Sequence, residues 1–381
     1  MDTNQRFQEN LQLFRDAVRM KKTNRVPFFS TDAFWRFYDA GYTLSECMTD
    51  HAKLNEANCQ FAERYKFDCL LDVGDRNPYQ FITTLGNQQY QVDDKNNTLV
   101  VEEQNHFSVE DYDLYPENPL KDMWENIIPR KYTKFNSDMT AADLVGFLGQ
   151  FLAHNAFVED TCKELGARAG TLPLSPHRVY PPMEVMVNFL RGFKGIGMDM
   201  RRRPEKLDAL LKFMWNPADL DGIRPADETP AAFSTMTIML GQNLMNPKQF
   251  ERFYWPHLKA LSDKLEEVDG TCFILSEGST VHVTEYLKQL APHRFCLYVE
   301  TDDIFERREA LPDMCLLGGI PVDMLGTATP EECVAHVKKV IEVVGKNGGL
   351  ILAPNKFTAN PNDCSRENLL AISDYINSMN Y

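Results

Sequence analysis

The strongest constraint on the fold of this chain is a rhythm of short apolar runs in its C-terminal half. Thr271-Cys272-Phe273-Ile274-Leu275 ends at Ser276-Glu277-Gly278, and Arg294-Phe295-Cys296-Leu297-Tyr298-Val299 ends at Glu300-Thr301-Asp302-Asp303. Met314-Cys315-Leu316-Leu317 ends at Gly318-Gly319, and Leu350-Ile351-Leu352-Ala353 ends at Pro354-Asn355-Lys356. Runs that are apolar at nearly every position fit strands covered on both faces, as in a parallel sheet. Helical patterns fill the gaps. Thr329-Pro330-Glu331-Glu332 supplies an N-cap hydroxyl, a proline at the first helical position and a carboxylate at the third. An apolar stripe of Val334, Val337, Ile341 and Val344 follows, and Gly345 stops it. Leu369, Ile372, Ile376 and Met379 share one face of a final helix. Alternation of this kind means βα units joined by right-handed crossovers.

The N-terminal half continues the count less cleanly. Val26-Pro27-Phe28-Phe29 reads as a first strand after an amphipathic opening helix, and Cys69-Leu70-Leu71-Asp72-Val73 as a second after a helix through about Leu54 to Tyr65. Gly166 to Leu172 is a weak third strand and Gly222-Ile223-Arg224-Pro225 a weaker fourth. Eight strands alternating with helices predict an α/β protein, a (β/α)8 TIM barrel with an N-terminal helical extension. One domain is expected, with the barrel over 25–381. The segment 86–140 is an insertion after strand two: a hairpin (Gln88 to Val92, Thr98 to Glu102), then a Pro- and Tyr-rich loop, expected to cover one barrel mouth.

Lys plus Arg total 40 against 55 Asp plus Glu, a net charge of 40 − 55 = −15, which disfavours nucleic acid as a partner. The first twenty residues carry Asp2, Arg6, Glu9, Arg15, Asp16 and Arg19, leaving no apolar leader there. Thr229 to Pro247 is uncharged but holds Pro230, Gln242, Asn243 and Asn246, so a buried or cleft-lining segment is expected rather than a membrane span. The nine cysteines are scattered, without a C-x-x-C, as expected of reduced thiols in a cytoplasmic protein.

In such a barrel the reacting groups sit at the carboxyl ends of the strands. This strand assignment puts Asp72 or Asp75 with Arg76 at the second end, Asp227 and Glu228 near the fourth, and Glu277 after the fifth. Glu300, Asp302 and Asp303 follow the sixth, and Asn355 with Lys356 the eighth. Crowded carboxylates raise one another's pKa and can supply a general acid near neutrality, but acids in βα loops also cap helices. His177 and His282 fall near strand ends, and the eight histidines form no H-E-x-x-H. The glycines of Gly192-Phe193-Lys194-Gly195-Ile196-Gly197 lack the G-K-[ST] ending of a phosphate loop and fit a helix break.

Several segments in order resemble the uroporphyrinogen decarboxylase superfamily. Asp199-Met200-Arg201-Arg202-Arg203-Pro204-Glu205-Lys206 resembles its D-(hydrophobic)-x-x-x-P-E-K segment, and Asn246-Pro247 through Pro256-His257 its S-P-x-x-F-x-x-F-x-x-P segment. Gly318-Gly319-Ile320-Pro321, Thr329-Pro330-Glu331-Glu332, Gly348-Gly349 through Pro354 and Glu367-Asn368 follow in the family's order. The resemblance covers roughly residue 25 to the end and implies a (β/α)8 barrel.

The superfamily holds two chemistries. Decarboxylases carry an arginine-rich clamp after strand one, where this chain offers only Arg36 for substrate carboxylates. The family's key aspartate has its nearest match in Asp75, with Asp72 as fallback. Members of the corrinoid-linked methyltransferase branch that make methyl-thiols bind zinc through H-x-C-G and P-G-C segments. The matching places here read Leu275-Ser276-Glu277-Gly278 and Pro354-Asn355-Lys356, so a thiolate zinc site is lost and Glu277 is left as a tentative oxygen ligand or proton donor.

The resemblance therefore implies, first, an enzyme transferring a methyl group from a small, methoxylated aromatic substrate to a corrinoid supplied by a partner protein, as an O-demethylase does. Asp75, Glu277 and Lys356 are its expected catalytic residues, and Arg76, His177, Glu300, Asn355 and Arg36 its substrate contacts. The aromatic insertion (Tyr112, Tyr115, Trp124, Tyr132) is expected over the substrate. The alternatives are a cofactor-free decarboxylase of a tetrapyrrole or smaller acid and a non-catalytic corrinoid- or tetrapyrrole-binding barrel. Neither membrane nor nucleic acid is expected as a partner, and a homo-oligomer stays open.

Overall fold

The computed structural model describes residues 2–74, 79–87, 89–103, 105–174 and 176–379. Its barrel strands are β1 (Phe29–Ser30), β2 (Cys69–Leu70), β3 in two halves (Leu172–Pro173 and His177–Arg178) and β4 (Thr235–Met239). β5 (Cys272–Ser276), β6 (Phe295–Val299), β7 (Cys315–Ile320) and β8 (Leu350–Pro354) complete the set. All pair in parallel. Phe29 lies opposite Cys69 and Cys69 opposite Leu172. His177 faces Thr235, Thr235 faces Cys272 and Cys272 faces Phe295. Cys296 then faces Cys315 and Leu316 faces Leu350. A bridge from Phe28 to Leu352 joins β8 back to β1, with the Leu352 N–H donating to the Pro27 carbonyl at 2.9 Å. The two halves of β3 pair with opposite neighbours, so the pairing runs round a ring.

Two separate apolar layers follow from the pleat, because successive side chains point to opposite faces. Phe29, Cys69, Leu71, Met236, Phe273, Leu275, Cys296, Tyr298, Cys315, Leu317, Ile351 and Ala353 fill the inside of the barrel. Phe28, Leu70, Ile274, Leu297, Leu316 and Leu352 belong to the outer layer, against the helices. The Thr3–Val18 helix adds Leu11, Phe14, Ala17 and Val18 to the inner layer. The Phe14 ring lies 6.2 Å from Phe29 and 5.9 Å from Phe233, which plugs the amino end of the barrel.

Two expected strands move. The fourth is Thr235–Met239, inside the uncharged stretch expected only to be buried, and not 222–225. Asp227 and Glu228 consequently precede β4 and belong to the amino end. The third begins at Leu172, where 166–172 was expected, because the preceding helix runs on to Ala169 and ends at Gly170 in the left-handed conformation.

The insertion's hairpin pairs Tyr90–Asp93 with Thr98–Val101, antiparallel. Short helices then run from Asp111 to Lys131. Asp199, fully buried, fastens this insertion to the barrel: it accepts from the Tyr112 hydroxyl at 2.9 Å, Arg191 Nε at 2.8 Å and Arg203 Nη1 at 2.9 Å. Lys206 adds an ion pair to Asp113. The Gly192 glycine cluster opens the Gly192–Arg202 helix. Among the described residues, no helix is long and apolar enough to cross a membrane.

Candidate active site at the carboxyl-terminal rim

The inward parity of each strand decides which residue reaches the mouth. Phe273 and Leu275 point inward in β5, so Glu277 continues that parity just past Ser276. By the same count Glu300 continues Cys296 and Tyr298, and Asn355 continues Ile351 and Ala353. Lys356 falls on the opposite parity, with Leu352, and its side chain is exposed.

A chain of hydrogen bonds links these ends. Gln242, just past β4, donates Nε2 to the Glu277 carbonyl at 2.8 Å. Glu300 Oε2 accepts from the Gly278 N–H at 2.5 Å, and Asn355 Nδ2 donates to the Glu300 carbonyl at 3.1 Å. Asn355 Oδ1 in turn accepts from the Val322 N–H at 2.9 Å. Thr31 closes the arc, its hydroxyl donating to the carbonyls of Pro354 (3.0 Å) and Lys356 (3.2 Å). Beneath it Tyr298 donates to the Pro354 carbonyl at 3.3 Å and stacks on Phe357 with ring centroids 6.2 Å apart.

The other expected residues are placed as follows. Asp75 and Arg76 lie outside the described residues. Asp72 shares the outward parity of Leu70, accepts from the Gly74 N–H at 2.7 Å, and lines a small pocket outside the barrel wall with His51, His154 and Tyr79. Burial lowers the pKa of both histidines. Arg36 is 2% exposed and already engaged: Nη1 donates to Asp32 Oδ1 and the Ala33 carbonyl at 2.7 Å, and Nε to Asn58 at 2.6 Å. Asp32 also accepts from Thr358 at 2.6 Å, and burial raises its pKa against the pull of Arg36.

His177 holds Nε2 2.7 Å from the carbonyl of Asp219, in the loop that precedes β4, and so turns away from the strand ends. His282 places Nε2 3.0 Å from the Gln242 carbonyl. Asp303 caps the Ile304–Ala310 helix and Asp302 holds Thr280, both structural uses of an acid. In the insertion, Tyr112 and Tyr115 pack against Phe107, and Tyr115 also against Phe213, so these rings join the insertion to the barrel's outer helices where a cover over the substrate was expected.

Two polar groups were missed. Gln242 is fully buried and its Oε1 has no hydrogen-bond partner among the described residues, an orphaned acceptor beside the Glu277 turn. Its place three residues past β4 was hidden because that strand was misplaced. Glu184 is fully buried, accepts the N–H groups of Leu240 (3.0 Å) and Gly241 (2.9 Å), and burial pushes its pKa up to about 7. Among the described residues, no three His, Cys, Asp or Glu side chains gather closely enough to hold a metal ion, so Glu277 has no set of co-ligands there.

Residues 181–356 match the family model described as Uroporphyrinogen decarboxylase (URO-D). No curated protein matches the sequence. A solved structure described as a methyltransferase from Methanosarcina mazei is similar with a TM-score of 0.60 at 14% identity, covering 97% of each chain. At that identity the likeness is one of fold.

Proposed function

We propose, from the match of residues 181–356 to the uroporphyrinogen decarboxylase family model, that the protein is an enzyme that moves a methyl group from a small methoxylated aromatic substrate to a corrinoid held by a partner protein. What supports this reading is strand parity: Phe273, Leu275, Tyr298 and Leu317 belong to the inner apolar layer, and Glu277 and Glu300 continue the inward parity of β5 and β6 just past their ends. An apolar floor suits an aromatic ring, and a carboxyl group at its edge suits the ether oxygen. When a methyl group leaves an aryl ether, the phenoxide departs poorly unless its oxygen is protonated. Glu277 is the proposed donor, with Asn355 and the Gln242 amide orienting the ring's substituents. Lys356 would hold an anionic substituent from outside the rim. A bound corrinoid would supply the methyl-accepting cobalt. Purified protein incubated with cob(I)alamin and a panel of methoxyarenes should form methylcobalamin, and Glu277→Gln should slow it by about 100-fold or more. No methylcobalamin from any member of the panel would overturn the proposal.

The family description favours a second reading, decarboxylation. Against a polycarboxylate, however, stands the engagement of Arg36 with Asp32 and Asn58. Release of carbon dioxide from a small pyrrole acid, lost in Asp75→Asn, would select that reading.

A further inference from the structure

His177 was expected to touch the substrate, and the pleat of the barrel gives that place to its neighbour. Arg178 lies opposite Met236 on β4, and paired residues of parallel strands send their side chains to the same face. Met236 belongs to the inner layer, while Val179, the next residue along, belongs to the outer one. Arg178 therefore points into the barrel. His177 takes the opposite side, where a Cβ on Gly222 would lie only 2.5 Å from its ring.

The depth of Arg178 follows from the stagger of the strands. Register pairs lead from Arg178 through Met236, Phe273 and Cys296 to Cys315. Continued across β8, β1 and β2, the same line returns to β3 on the amino side of Leu172. It thus falls towards the amino end, by about one residue per strand in a barrel of eight strands and shear eight. Two strands on, the level of Arg178 is that of Leu275, one inward position below Glu277. Met236 is buried, yet Arg178 is exposed. With Phe14 plugging the amino end, an inward side chain gains that exposure through the mouth. Among the described residues, Arg178 is the one Lys or Arg within the eight barrel strands. Tyr180 has the next inward position, its ring 6.1 Å from that of Phe189.

We propose that Arg178 determines substrate specificity by taking a carboxylate borne on the ring whose ether oxygen meets Glu277, so that the preferred substrates are methoxylated aromatic acids. This rests on the methyl-transfer reading of the same mouth. A guanidinium offers five N–H donors in a planar fork, enough to hold both oxygens of a carboxylate beside a partner in the protein. Two strand spacings, about 10 Å along the wall, separate Arg178 from Glu277 at the backbone, which leaves the span of one substituted ring between their side chains. The chain carries a net charge of −15 and places Glu277 and Glu300 at this opening, so an acid would be repelled without a cation inside. Lys356, on the outward parity, meets only a group that projects past the rim.

Calorimetric titration of the purified protein with 4-methoxybenzoate and with its methyl ester tests this without any corrinoid. The wild type should bind the acid about tenfold or more tighter than the ester, and that comparison needs no variant. Arg178→Gln should lower the ratio of the two affinities by about 10–100-fold, the worth of a charged hydrogen-bonded pair. Arg178→Lys, which keeps the charge without the fork, should fall between. Arg178→Glu should turn the preference towards 4-methoxybenzylamine. A purely structural arginine would lower acid and ester together and leave their ratio where it was. A wild type that binds neither compound or both equally, or a ratio unchanged in Arg178→Gln, would overturn the proposal even where methylcobalamin forms. Selective, Arg178-dependent binding of the acid with no methylcobalamin from any methoxyarene would uphold Arg178 as the anion-binding residue and remove the methyl-transfer reading instead.

Discussion

Glu300 Oε2 accepts the backbone N–H of Gly278 at 2.5 Å, so the residue after β6 holds the turn that presents Glu277 after β5. Gly278 sits at φ +84°, a conformation a side-chain-bearing residue resists, so the turn has little freedom to re-form otherwise. Glu300→Ala should cost about 1.5–3 kcal/mol of stability, the range for a hydrogen bond to a charged group. Glu300→Gln, which keeps an acceptor, should cost less. Urea unfolding of both variants measures the difference, and activity should fall in the same order.

Asp199 should be the most expensive single residue of the family-like segments to remove. It holds two arginines and a tyrosine from a fully buried position. Asp199→Ala strands Arg191, itself buried, and should destabilise by about 3–5 kcal/mol. Limited proteolysis should then cut the insertion around Tyr112 faster than in the wild type.

Glu184 gives stability a pH dependence with a definite sign. Burial raises its folded pKa from 4.5 to about 7, so folding favours the protonated form. The stabilisation is complete below about pH 4.5 and is lost as pH rises through 7. Between those limits this group should lower the unfolding free energy by on the order of 3 kcal/mol. Denaturant titrations across that window should show the decline, and Glu184→Gln should flatten it.

Phe14 should matter more than its position in an N-terminal extension suggests. It is fully buried between Phe29 and Phe233. Phe14→Ala should cost about 3–5 kcal/mol. A thermal midpoint unchanged from wild type would show that the helix is an appendage rather than a plug.

Half of the barrel is easy to read because its strands are apolar on both faces. The runs ending at Leu275, Val299, Leu317 and Ala353 match β5 to β8 within a few residues, and the Thr329–Glu332 capping box forms as the spacing predicts. β4 hides because Thr235-Met236-Thr237-Ile238-Met239 interposes threonines where its neighbours run apolar, and because it sits in a longer uncharged stretch. β3 hides because Pro173 and Pro176 interrupt it, and proline cannot donate to a ladder. At the mouth, Glu277, Glu300 and Asn355 can be located by counting parity from apolar residues. Arg36 cannot, because its partner depends on Asp32 and Asn58 meeting in space; only the i, i+4 spacing of Asp32 and Arg36 was visible.

The Phe14 plug has one more consequence. A cylinder stoppered at its amino end has a single doorway, so whatever reacts above the aromatic floor must arrive and depart through the same opening.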